Sequence, residues 1–445
     1  MLIGVVGAQY VLSQRTALTR SQKAVATAAS FDPGVAAFYK ARNWRPLWFD
    51  GTNPRPEAAQ LVAALRGAAA DNLNPGAYRP DRLATLIATT PANDLEARAR
   101  VDIALSEALA DYVSDLRLPP PGERLYYADP DLPPPAVTES AVLTQAASAP
   151  SLGAWLAKAR QVNPIYDQLR ATLFTYRAQH PGKPDARAIL LAANMERARG
   201  LPADFGSRYV LVNAPSARLW AFDHGRAQET MEVVAGKVSD QTPLMAAQIR
   251  WAVLNPYWNV PPDLAQKRLA PKVLQFGPGL LAAQHLQVMS DWTPDAVPVD
   301  PATVNWVGVE TGQEKLRMRQ LPGPWNMMGA IKFMLPNKLG VYLHDTSEKS
   351  LFGKHSRFFS AGCVRLEQPG LLARWLYGRT LRPQPNDPAE QRVDLAQPVP
   401  VYLVYFTAFP SPNGMVYPRD VYRRDPALLK ALRSAGRLPI YQSAG

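Results

Sequence analysis

Along the first half of the chain, apolar positions recur mostly at intervals of three and four, the spacing of one helical face. Between Asp94 and Leu116 the series Leu95, Val101, Leu105, Leu109, Tyr112 and Leu116 predicts one long amphipathic helix. Ala58–Leu65 is rich in Ala and Leu and reads as helix too. Ile165, Leu169, Leu173 and Tyr176 mark another helix, and Ala188–Arg199 a further one. Between these groups Asp129–Pro150, rich in Pro, Ala, Ser and Thr, reads as an extended linker.

Near Pro202 the period shortens. Tyr209–Asn213 and Arg218–Phe222 are β-prone runs joined by a turn, and Asp223–Arg226 turns into Gln228–Val234, where apolar and polar residues alternate. That pattern predicts a β-meander. Further strands are expected at Ile249–Leu254, Gly340–His344 and Val401–Tyr405, with a short helix at Leu371–Leu376. Between Pro261 and Arg319 the pattern turns helical and loop-like, which predicts an insertion. The expected fold is α+β, a helical domain followed by a mostly β domain carrying a helical and loop insertion. The boundaries read as 1–32 for an N-terminal segment, 33–205 helical, 206–425 mostly β with the insertion at about 261–319, and 426–445 as a tail.

Composition narrows the partners. Lys and Arg number 49 against 37 Asp and Glu, a net charge of +12, which favours an anionic partner. No block of like charge or basic stripe with interleaved aromatics appears, so nucleic acid is not expected. The apolar run Met1–Leu12 lacks the basic residues that open a secretory signal and is too short for a membrane span. It reads as the remnant of an export signal, which would bring the N-terminus near a membrane, or as an ordinary strand or helix.

The candidate chemistry centres on Cys363, the one cysteine of 445 residues, in the run Ser360-Ala361-Gly362-Cys363-Val364-Arg365. A single thiol builds neither an intrachain disulfide nor a cysteine metal cage; it is inert packing or a nucleophile. Gly362 permits close backbone approach. Upstream, His344 ends an apolar run and supplies the imidazole a thiol nucleophile needs. Residues two apart on a strand share a face, so Tyr342 pairs with His344 and Cys363 with Arg365, backed by apolar neighbours. Backbone N–H groups around Gly362 and Cys363 are candidates for an oxyanion hole. Arg365, Tyr342, Ser360 and Asn326 are the candidate substrate-side residues. Arg365 could instead pair with an internal carboxylate such as Glu367, Tyr342 could pack rather than line a pocket, and Ser360 and Asn326 could be local hydrogen-bonding supports. His355 is a rival base in a basic loop; His180, His224 and His285 read as structural. No His, Asp and Glu spacing suggests zinc, and Gly236-Lys237 lacks the rest of a phosphate loop.

The constellation of His344 with Ser360-x-Gly362-Cys363-Val364-Arg365 resembles the catalytic signature of the L,D-transpeptidases. Val234-Ala235-Gly236-Lys237 with Gln241-Thr242-Pro243 is similar to that family's Gly-Lys and Thr-Pro segment. The run from Arg319 through Pro322, Asn326 and Gly329 to Lys332-Phe333 resembles the stretch ahead of the catalytic strand in the scaffold-bearing subfamily. Asn194–Arg197 with Leu201-Pro202, and Phe38-Tyr39 with Leu47–Phe49, resemble its scaffold. Ala361 stands where the family commonly has His. The short path from Tyr176 to Ala188 leaves no room for the peptidoglycan-binding module many relatives insert.

The resemblance implies a periplasmic enzyme of peptidoglycan maturation with a lid-like insertion and no metal or organic cofactor. Cys363 would attack the third residue of a stem peptide, expel the terminal D-Ala and hand the acyl group to a neighbouring amine as a 3→3 cross-link. Carbapenem sensitivity and cell-wall synthesis partners would follow. In the family a main-chain carbonyl holds the histidine, so Asp345 is not automatically a third member. Two alternatives remain: hydrolysis of the same thioester by water, as a carboxypeptidase or endopeptidase, and a non-catalytic wall-binding scaffold.

Overall fold

The computed structural model describes residues 18–134, 137–182, 185–384 and 387–437, so the Met1–Leu12 run lies outside the described residues. The described chain forms two compact units: one of residues up to 122, 135–203 and 427 onward, and one of 123–134 and 204–426.

The first unit is helical. Its helices are α1 (Arg20–Ala28), α2 (Pro33–Ala41), α3 (Pro56–Arg66), α4 (Pro80–Thr89), α5 (Leu95–Arg117), α6 (Glu139–Ser148), α7 (Leu152–Ala159), α8 (Pro164–Gln179) and α9 (Ala186–Ala198), with a small hairpin of β1 (Phe49–Asp50) and β2 (Asn53–Pro54). The long α5 starts where Asp94 accepts the Ala97 N–H and buries the predicted Val101, Leu105, Leu109, Tyr112 and Leu116. It also buries Asp102, whose carboxylate accepts the N–H groups of Leu47 and Trp48 at 3.0 and 2.8 Å and the Tyr39 hydroxyl. Trp48 Nε1 donates to Ser106 at 2.9 Å. The Phe38-Tyr39 and Leu47–Phe49 motifs are thus two sides of one polar knot on α5. A second knot surrounds buried Asp71, which receives Tyr112, Arg160 and Arg170 within 2.9 Å, while Arg199 pairs with Glu196.

Two expectations are corrected here. The proposed linker holds α6, whose Thr138 cap accepts the Ala141 N–H; an Ala-rich, capped segment is helical despite its prolines and serines. The proposed tail instead contains a helix at Asp425–Ser434, whose Leu428 and Leu432 bury against Ala193. Beyond it Arg437 pairs with Asp115, and its other nitrogen lies 3.7 Å from Glu196.

The second unit is mostly β. Its strands are β3 (Tyr126–Tyr127), β4 (Arg208–Asn213), β5 (Arg218–Asp223), β6 (Arg226–Gly236), β7 (Met245–Leu254), β8 (Trp258–Val260), β9 (Leu286–Met289), β10 (Pro298–Val299), β11 (Met318–Gln320), β12 (Ile331–Met334), β13 (Leu343–His344), β14 (Phe358–Ser360), β15 (Val364–Leu366), β16 (Gln391–Val404), β17 (Phe409–Ser411) and β18 (Gly414–Val416). The main sheet runs β12-β13-β15-β6-β5-β4-β16-β7-β3, and β12 also pairs with β7, so the sheet closes on itself. The closed sheet, with the short β3 and β14 at its margins, encloses a core including Val210, Leu219, Ile249, Phe333, Leu343, Val364 and Leu403. A helix at Pro369–Tyr377 contributes Leu372 and Leu376 to that core.

The insertion between β8 and β12 is not only helix and loop. It has a four-stranded sheet, β10-β9-β11-β8, and a core of its own around Val273, Leu281, Val288, Trp306 and Met318.

Candidate active site

His344 and Cys363 come together through register. Strands β13 and β15 run parallel with Leu343 opposite Val364 and His344 opposite Arg365. Leu343 and Val364 point into the core, so Tyr342, His344, Cys363 and Arg365 share the other face. Cys363 lies across from Tyr342, whose carbonyl accepts the Val364 N–H at 3.1 Å. Thiol and imidazole are therefore diagonal neighbours on one face.

The sulfur is half-buried and donates to the Gly340 carbonyl at 3.6 Å. No hydrogen bond joins the thiol to the imidazole among the described residues, and apo catalytic pairs are often loose in this way. His344 is buried, with Nδ1 held by the Asp345 carbonyl at 2.5 Å. Nδ1 donates to that carbonyl, which leaves Nε2 as the free lone pair. The Asp345 carboxylate is occupied elsewhere, by Lys349 at 2.6 Å and the Ala330 N–H at 2.8 Å. Gly329 has φ of +62° and a Cβ there would sit 2.3 Å from the Asp345 carboxyl carbon, so that anchor needs glycine.

Electrostatics make the resting pair neutral. Burial, then the Arg365 charge, lower His344 to about 3, with Lys332 adding to the effect. Lys332 faces His344 across β12 as Arg365 does across β15, so the imidazole lies between two cations. Burial pushes the Cys363 thiol up, partly offset by the Tyr342 main chain and Arg365. A resting thiolate–imidazolium pair is disfavoured from both ends. Beside the thiol, burial pushes the half-buried Tyr342 up to about 12.

A hydrogen-bonded clamp holds the cysteine turn. Gly362 has φ of +108°, a backbone state that favours glycine. Ser360 Oγ donates to the Cys363 carbonyl at 2.5 Å and accepts the Gly362 N–H at 3.2 Å. The Gly362 N–H is therefore taken, while the Cys363 N–H has no protein acceptor among the described residues and is the candidate oxyanion donor. Thr242 Oγ1 donates to the Gly362 carbonyl at 3.0 Å and accepts the Gly236 N–H at 2.9 Å. Tyr422 donates its hydroxyl to the Gly236 carbonyl at 2.7 Å. At Gly236 a Cβ would lie 2.1 Å from the Asp240 carbonyl, which explains the Gly-Lys and Thr-Pro segment. Thr242 and Tyr422 had not been singled out: the first lay in a noted motif without a role, and the second is one tyrosine among 17.

The substrate-side expectations fare unevenly. Arg365 is engaged with Glu348, not Glu367, and its side chain is 13% exposed, so it is not a free fork for a carboxylate. Asn326 is fully buried, donating to the Pro256, Gln320 and Leu321 carbonyls and accepting the Met328 N–H at 2.7 Å; it braces a loop. Ser360 is buried in the clamp. Tyr342 keeps exposed surface beside the thiol. His355 is exposed on a loop and His285 stacks on Trp325 at 3.6 Å between ring centroids. Among the described residues no His, Cys, Asp and Glu group could hold a metal ion.

Residues 207–401 match the L,D-transpeptidase catalytic domain and residues 33–173 the scaffold domain. The chain belongs to the L,D-transpeptidase family. A Haemophilus influenzae protein whose name assigns it provisionally to the L,D-transpeptidases is 26% identical over 415 residues, covering 89% of this chain and 78% of its own. A solved L,D-transpeptidase from Mycobacterium smegmatis is 12% identical, covering 44% of this chain and 58% of its own, with a TM-score of 0.23. One from Enterococcus faecium, with its cysteine mutated to serine, is 12% identical, covering 45% and 51%, with a TM-score of 0.21. The chain thus spans little more than half the length of these solved relatives. The transpeptidase clamp extends past the matched domain, since Tyr422 lies beyond residue 401.

Proposed function

We propose that this L,D-transpeptidase forms 3→3 cross-links in peptidoglycan through a thioester on Cys363. The observation that carries the reading is the half-buried sulfur and the Nε2-free imidazole on one face of adjacent parallel strands. The sulfur attacks the carbonyl of the third stem residue as its proton passes to His344 Nε2. The Cys363 N–H stabilises the developing oxyanion. The C–N bond to the terminal D-Ala breaks and His344 returns the proton to the leaving amine. A side-chain amine of a neighbouring stem, deprotonated by His344, then attacks the thioester, forms the cross-link and releases the thiol. Each acyl bond replaces another, so no external energy source is required.

The same reading places the enzyme in the periplasm, acting on stem peptides alongside wall-synthesis partners and open to acylation by carbapenems. Incubation with purified tetrapeptide muropeptides, followed by mass analysis, tests it. Cross-linked dimers with free D-Ala and a Cys363 adduct are expected. Tripeptide alone would establish hydrolysis instead, and no adduct with either tetrapeptide or carbapenem would leave only a binding scaffold.

A further inference from the structure

A groove of about 770 Å3 opens on the outer face of the meander, between β5 and β6 and the β17–β18 hairpin. Arg218 and Trp220 line it because they alternate with Leu219 and Ala221, which face the core. His355 and Arg419 add basic side chains, and neither has a side-chain partner among the described residues. Arg218 makes only long contacts, 3.5 Å to Glu232 and to Thr230. The groove's carboxylate, Glu229, faces Arg374 at 3.7 Å. Phe358 and the exposed Tyr417 supply apolar surface. The balance is positive charge beside aromatic walls, which suits a carboxylate-bearing chain with apolar side groups.

The neighbourhood of the catalytic pair offers the opposite. Arg365 is paired with Glu348, Lys332 with Glu390 and Lys349 with Asp345. Recognition of acidic groups falls to another surface, and this groove is close by. Phe358 lines it and Ser360 clamps the cysteine turn, two steps along β14, about 7 Å for an extended strand. The hairpin wall lies beyond the matched catalytic domain, so the groove is not a feature of that domain alone.

We propose that this groove is a second recognition site for an acidic peptide, holding a carboxylate-bearing stem of the polymer next to the one being acylated. The proposal rests on the transpeptidase reading for the identity of the peptide. The test uses the full chain with Cys363→Ala, so that nothing turns over, and a soluble uncross-linked polymer carrying several stems. Polymer affinity should fall at least fivefold in the added Arg419→Ala and His355→Ala background, and by a similar factor when the stem carboxylates are amidated. Arg419→Lys should keep most of the affinity, and peptide-free glycan should not compete. Unchanged binding in the double variant with an unchanged melting temperature, or full competition by the peptide-free glycan, overturns the proposal. Separately, failure of a monomeric tetrapeptide to acylate the native cysteine would sink the transpeptidase reading while leaving the binding result intact.

Discussion

His344 is buried, with Arg365 on one side and Lys332 on the other, so protonating it would put a charge out of water and, secondarily, beside two cations. The folded state therefore refuses a proton that the unfolded chain takes near pH 6.5. Stability supplied by this exclusion is present above about 6.5 and is lost as pH falls towards about 3. Acylation of Cys363, followed by mass or stopped-flow fluorescence, should accordingly show no acid limb near 6.5 and stay level down to about pH 5. Removing the cation with the larger effect by Arg365→Gln should raise the histidine and move any acid limb towards higher pH. Thr242→Val tests the clamp: it strands the Gly236 N–H and Gly362 carbonyl, each worth about 1–3 kcal/mol when buried and unpaired. Acylation should slow at least tenfold, with Thr242→Ser restoring most of it. The cysteine, the histidine and their shared face were legible because motif and two-residue period travel together. Which carboxylate would reach Arg365 was not, because Glu348 and Glu367 are equally plausible until the loop after β13 is folded.

Among the elements, strongly periodic segments were readable, as were the short β13 and the helix at Pro369–Tyr377, while the short strands of the insertion were not. The α5 stripe and the β4–β5–β6 meander stood out because each repeats its period several times. Strands β8 to β11 span two to four residues, too few for alternation to show against a helical background. The insertion's sheet therefore looked like loop. Polar knots were equally hidden, since Asp102 in a helix reads as surface until its partners are known. Asp102→Ala would leave the Leu47 and Trp48 N–H groups unpaired inside the helical unit. A loss of about 3 kcal/mol is expected from two such groups. Hydrogen exchange at the amides of α2 and α5 would report it, and full protection in the variant would contradict the assignment.

For the molecule as a whole, chain order and spatial order part company. The helical unit takes its last helix from the far end of the sequence, where Leu428 and Leu432 cover Ala193 and Arg437 meets Asp115. Truncation after Pro426 should lower the denaturation midpoint of the helical unit while leaving that of the β unit in place. Arg437→Ala alone should show the same sign with a smaller size, because a partly exposed pair contributes modestly.

That arrangement bears on how the protein is made. Emerging from a ribosome, the chain exposes its N-terminal helices long before the segment that seals them has been synthesised. The part born first is finished last. Damage to residues 425–437 would thus injure the fold of helices made far earlier, and a chaperone serving them would need to stay until that segment arrives.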